Sequence, residues 1–224
     1  MEIRDKLNTL DNYKSLIDLK REFIESDKNE IKLLQDSEAK REQLYNLPND
    51  EVIHNFYNSI FTYEYQIFIA MYSMGIDIKE LINPYHSTLT YMEKSWEKDS
   101  EYVQMVWMLS IGIMLNIEDA KFNKLVQLVE KDNPGDFLID FLIRYRIPSW
   151  KGKSDRFMFN RPYLAVHELV SLSSIEKKKG LERLEKYLSK EWYRGDILIQ
   201  VGITTIKTEE IFTMVIGVLK AVRW

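Results

Sequence analysis

Glu51 and His54 come closest, by type and spacing, to residues that do chemistry. At i and i+3 of a helix they share a face, as Glu-x-x-His pairs do in carboxylate-bridged iron centres. Such a centre takes a second Glu-x-x-His and the sequence has none, so a surface histidine is expected here. His167–Glu168 lacks the second histidine that completes HExxH, the zinc-peptidase signature. Asp136 and Asp140, one helical turn apart, have the donors for Mg²⁺, but single acidic pairs at this spacing are common. There is no glycine-rich phosphate loop, no GxSxG and no nucleophile with a matching base. The chain has no cysteine, which excludes disulfides, zinc–thiolate sites and thiol catalysis. The expectation is a protein with no catalytic residue, metal or cofactor, and not an enzyme.

Two further features bear on partners. Trp150, Lys151, Lys153, Arg156, Phe157, Phe159 and Arg161 interleave cations with aromatics, a composition that can grip single-stranded nucleic acid. In a chain of net charge −4, the better expectation is that the rings dock on the core and the cations face water. The acidic charge is uneven. Residues 1–100 carry 19 acidic and 12 basic side chains, and residues 101–224 carry 16 and 19. Between Glu42 and Glu93 seven carboxylates face one cation, Lys79. A segment this one-sided favours a cationic partner over direct binding of nucleic acid or an anionic membrane.

The elements that must position these residues read as helices, since only eight glycines and five prolines punctuate the chain. Residues 2–46 are charge-dense, with apolar Leu16, Leu19, Phe23, Ile31 and Leu34 at near-helical spacing. "LPND" at 47–50 breaks that run, and Asp50 is a candidate cap for the aromatic helix 51–74, which Gly75 ends. Asp77 and Glu80 have capping-box spacing for a helix over 78–95. Residues 103–117, "VQMVWMLSIGIMLNI", hold eleven apolar side chains and only three polar ones. Fifteen helical residues reach roughly 22 Å, short of the ~30 Å hydrocarbon core. Apolar on every side yet too short to span, this is a buried central helix. Helices are also expected over 120–131, 137–145, 164–172 and 208–223, with Ser173 and Glu176 capping another. The long loop falls at 147–163 and an irregular segment at 194–206. The sum is an all-α, multi-helix bundle of about ten helices around the 103–117 helix. The charged N-terminus does not resemble a signal peptide, and with the lack of cysteine this suggests a cytoplasmic location.

Five segments occur in order: "YSMGIDIKEL" (72–81), "WMLSIGIMLNIED" (107–119), "DFLIDFLI" (136–143), "RPYLAVHEL" (161–169) and "LEKYLSKEWYRG" (184–195). Together they resemble the PoNi family, immunity proteins that neutralise PoNe-type DNase toxins deployed between bacteria. The resemblance covers nearly the whole chain, as an N-terminal helical half, 1–100, and a C-terminal half, 101–224, packed as one compact unit. It departs near the C-terminus, where "TTIKTEEIFTMV" replaces an aromatic stretch. It implies a stoichiometric complex with a cognate toxin nuclease. A DNase presents a cationic groove to phosphates, so its inhibitor needs negative charge for capture and aromatic anchors for slow release. Glu42, Asp50, Glu51, Tyr57, Tyr63, Glu64, Tyr65, Asp77 and Glu80 are the expected contacts, with Tyr45 among the same carboxylates. Trp107 and Tyr72 are expected to hold the fold. The alternatives are a helical enzyme whose acidic cluster binds divalent metal and an oligomeric scaffold on the first two helices. A homodimer is compatible with either partner-binding reading.

Overall fold

In a computed structural model the structure describes residues 3–4, 8–40, 42–96, 102–132, 136–152 and 176–186. The chain divides into two compact units, Met1–Asp132 and Asn133–Trp224. Among the described residues every regular element is helical. They form seven α-helices and one 3₁₀ turn, a correction to the expected ten. Among the described residues of the charge-dense first 45, one long helix forms, Leu10–Ala39, and the helices expected over 164–172 and 208–223 lie outside the described residues. So do the loop beyond Gly152 and the segment 194–206.

In the first unit, α1 (Leu10–Ala39) starts at Thr9, whose hydroxyl accepts the Asn12 N–H at 3.2 Å. Its buried stripe is Tyr13, Ile17, Ile24, Ile31 and Leu34, a seven-residue repeat facing α2. Leu19 and Phe23 are largely exposed. Ile31 and Leu34 are buried as expected and Leu16 is partly so, while Ile17 and Ile24 take the places expected of Leu19 and Phe23 and set the register. At two positions of that repeat stand the half-buried polar residues Lys20 and Asp27.

The helix α2 (Asn49–Ser73) packs along both α1 and α3 (Ile82–Ser95). Its N-cap position is Pro48, and Asp50 lies inside the first turn with Glu51. Asp50 thus complements the helix dipole rather than capping the end. Asn49 ties the start down, its side-chain amide donating to Ser37 Oγ and the Glu42 carbonyl, both at 3.1 Å. The other end closes at Gly75, φ 89°. There the Gly75 N–H donates to Tyr72 O and the Ile76 N–H to Met71 O, the paired bonds of a left-handed helix terminator. The last turn of α2 carries no basic side chain. Arg4 supplies one instead. Its guanidinium donates to the Tyr72 carbonyl at 2.8 Å and lies 4.7 Å over the Tyr72 ring, and its N–H donates to Ser73 O.

Asp77 Oδ1 accepts the Lys79 N–H at 2.8 Å and caps a 3₁₀ turn, Ile78–Leu81, before α3 begins at Ile82. The helix expected from 78 is thus a tight turn followed by a helix. In α3, Tyr85 is fully buried and its hydroxyl donates to the Met108 carbonyl of α4 (Tyr102–Met114) at 3.0 Å. Gly112 makes that approach available: a Cβ there would lie 2.7 Å from the Tyr85 hydroxyl.

The helix α4 is the buried central helix of the sequence, with Val106, Leu109 and Ile113 buried in it, Leu115 buried just past its end, and Leu109 0% exposed. It stops short of 117 because Asn116 turns left-handed, φ 49°. Its N–H donates to Ile113 O while the Ile117 N–H reaches Gly112 O, the same terminator with asparagine in place of glycine. In α5 (Asp119–Asp132), Phe122, Leu125, Val126 and Val129 form the buried stripe. No helix among the described residues is long and apolar enough to cross a membrane.

In the second unit, Asp136 caps α6 (Phe137–Arg146), accepting the N–H groups of Leu138 at 2.7 Å and Ile139 at 3.2 Å. Buried Asp140 accepts the Trp150 indole N–H at 2.7 Å. The described part ends with α7 (Lys177–Lys186), preceded by Glu176, which pairs with Lys179 at 3.0 Å.

Candidate protein-binding surface

The residues expected to meet a partner fall into three groups along α2. Glu42, Asp50 and Glu51 are exposed at its N-terminal end, and Asp77 and Glu80 are exposed beyond its C-terminal end. A 25-residue helix separates the two poles, roughly 36 Å at 1.5 Å per residue. Tyr57, Tyr63 and Glu64 lie between them, all half-buried. Tyr65 requires a correction. It is 2% exposed and stacks on Trp107 at 4.6 Å with the rings 8° from parallel. It therefore fills the core between α2 and α4, and no partner can reach it in this conformation.

The middle group is less acidic in space than along the chain. Lys94 lies 4.8 Å over the Tyr57 ring and 5.4 Å over Tyr91, which themselves sit 6.3 Å apart. Lys20 covers Tyr63 at 4.9 Å, beside Phe23. Glu64 accepts a hydrogen bond from Ser87 at 2.8 Å, and Lys124 reaches Glu93 at 2.9 Å. These lysines come from α1, the end of α3 and α5. A count over residues 42–93 could not include them. Lys28, which donates to Glu25, is held above its ordinary pKa by that bond first, and also by the charges of Tyr91, Glu25 and Glu64.

Sequence reasoning also missed carboxylates that α1 adds. Burial, then the neighbouring Glu30, raises the pKa of Asp27, and burial with Asp27 raises that of Tyr63. Glu30 Oε2 accepts the Tyr45 hydroxyl at 3.0 Å. The signal was present: Lys20 and Asp27 interrupt an otherwise apolar seven-residue repeat, and polar residues at such positions face a neighbouring helix.

The segment between α1 and α2 is built as well as linked. Gln43 Nε2 donates to the carbonyls of Tyr45 at 2.9 Å and Leu47 at 3.3 Å. The Glu42 N–H donates to Ser37 O. Leu44, Tyr45 and Leu47 are 52%, 41% and 46% exposed on this frame.

Among the described residues no three His, Asp or Glu side chains gather in reach of one ion. Asp136 and Asp140 serve as helix cap and indole acceptor in the second unit. Burial first, then Lys121, lowers the pKa of His86, with Glu118 opposing. His167 lies outside the described residues.

The model of the family described as PoNe immunity protein (PoNi), N-terminal, matches residues 4–127. That range takes in α1 to α4 and most of α5. No curated protein and no solved structure matches the chain. The class is therefore that of the immunity proteins, all-α and named for resistance to a toxin. Within it, this chain belongs to the PoNi family, whose members bear the name of immunity to PoNe toxins.

Proposed function

We propose that this protein binds and inactivates a cognate PoNe-type DNase by forming a stoichiometric complex in the cytoplasm, without catalysing a reaction. The observation that carries the reading is the family match over 4–127. Its physical support is the exposed carboxylates at both ends of α2, Glu42, Asp50 and Glu51 at one and Asp77 and Glu80 at the other. An enzyme that binds DNA must present positive charge to phosphates, and a negative surface on its inhibitor accelerates encounter. Half-buried Tyr57 and Tyr63 add aromatic area between the two poles. The contact set expected from the sequence is kept, less Tyr65.

Co-expression with a candidate PoNe-type nuclease from the same organism tests the proposal. Cells carrying both should survive, and the purified pair should elute as one complex without nuclease activity. Cell death with undiminished nuclease activity in the mixture would overturn it.

A further inference from the structure

The two acidic poles of α2 are not equivalent. At the C-terminal pole a single large apolar side chain, Ile78, is exposed beside Asp77 and Glu80. At the N-terminal pole Leu44, Tyr45 and Leu47 are exposed together within four residues, and Leu33 is exposed on α1 one turn after Glu30. A connecting loop that only links two helices needs no apolar side chains in water, and this one holds three on a hydrogen-bonded frame. The frame consists of the Gln43 amide on two carbonyls, the Asn49 amide on Glu42, and the Tyr45 hydroxyl on Glu30. Around it stand Glu30, Glu42, Asp50 and Glu51, and residues 42–51 contain no cation. Lys40 is exposed just ahead of it.

Lys40 and Arg41 precede the loop in the chain, so carboxylates outnumber cations around the patch, and an apolar centre with such a charged border is the composition of a binding hot spot with a water-excluding rim. The ordered frame reduces the conformational entropy that binding would otherwise remove. Excess carboxylate specifies the partner's chemistry: a cationic protein surface that contains an apolar recess. We infer that the 42–48 loop is the anchor by which this protein holds its toxin, with Leu44, Tyr45 and Leu47 entering the recess and the carboxylates seated on its basic rim. The inference rests on the function proposed above and selects one pole of α2 over the other.

The absence of cysteine makes the test direct. Leu44→Cys, Leu47→Cys and, at the opposite pole, Ile78→Cys each introduce one thiol at an exposed position. Maleimide labelling is followed with and without the candidate PoNe-type nuclease, purified with an inactivating substitution. The thiols at 44 and 47 should be strongly protected in the complex while that at 78 stays reactive. A Tyr45→Ala, Leu47→Ala double variant with unchanged circular dichroism should raise Kd by roughly tenfold or more. If wild type binds but the thiols at 44 and 47 label at the free rate and the double variant binds normally, the loop is not the anchor and the immunity reading stands. Should wild type fail to bind at all, the immunity reading falls and takes this inference with it. Protection that appears without nuclease and grows with protein concentration would assign the patch to a second copy of this chain, overturning the inference.

Discussion

Asp27 shows how a single side chain can oppose the helix that carries it. It occupies a position in the seven-residue repeat of α1 where Tyr13, Ile17, Ile24, Ile31 and Leu34 are buried. Burial and Glu30 raise its folded-state pKa above 3.8. A raised carboxyl pKa stabilises the fold below the unfolded value, and the contribution is lost as pH rises through the folded value. At pH 7 the ionised group therefore works against folding. Asp27→Leu should raise Tm at pH 7 and have a smaller effect near pH 3, as read by thermal melts at both values. A lower Tm at pH 7 would mean that Asp27 holds an essential contact. His86 has the opposite dependence. Its lowered pKa favours the neutral ring, so its contribution is full above about pH 6.5 and fades as pH falls below that. His86→Gln should flatten the stability profile of the folded protein across that range.

At the scale of elements, the α3–α4 contact rests on one missing Cβ. Gly112→Ala would bring a methyl to 2.7 Å from the Tyr85 hydroxyl and 3.0 Å from Ile117 Cδ1, costing about 1–3 kcal/mol by overpacking. Tyr85→Phe alone should cost about 1 kcal/mol, the hydrogen bond to Met108 O. The double variant should be less destabilised than the sum, because removing the hydroxyl removes the nearest clash. Denaturant melts of all four proteins measure that difference. Leu109→Ala, in the centre of α4, should cost roughly 2–5 kcal/mol through the cavity it leaves. The same helix shows what could be read from the residues. Its apolar run has no polar face, so burial followed from composition, while its end depended on Asn116 adopting a left-handed turn, which the apolar pattern conceals. Gly75 announced its turn because glycine is the usual residue there. Tyr65 was misplaced for a different reason: a tyrosine among carboxylates reads as surface until Trp107, 42 positions on, is found stacked against it. Charge was misread in the same way, since Lys20 and Lys94 reach the middle of α2, and Lys124 reaches Glu93 on α3, only through the fold.

For the molecule as a whole, the two poles of α2 make separable predictions about capture. Reversing charge at Asp50 and Glu51, both exposed, should slow association with the nuclease more than reversing Glu64 and Asp77, because Glu64 is half-buried and lies in the field of the Lys28 ammonium. Both effects should shrink as salt rises past ~0.15 M, where the Debye length is about 8 Å. Stopped-flow rates at two ionic strengths decide it, and rates that ignore both reversals would mean that charge does not guide the encounter. A last consequence concerns Arg4, which brings positive charge to the final carbonyls of α2 from 68 positions away. Its two backbone contacts and its stacking on Tyr72 make Arg4 a fastener for the helix that carries the proposed binding surface. An affinity tag, a trimmed start site or a fluorophore joined ahead of Asn8 is then no neutral handle. Preparations in which Arg4 is lost or displaced should differ in the fraying of α2 at Tyr72 and Ser73, visible in amide exchange, and an assay of toxin binding should keep that contact intact.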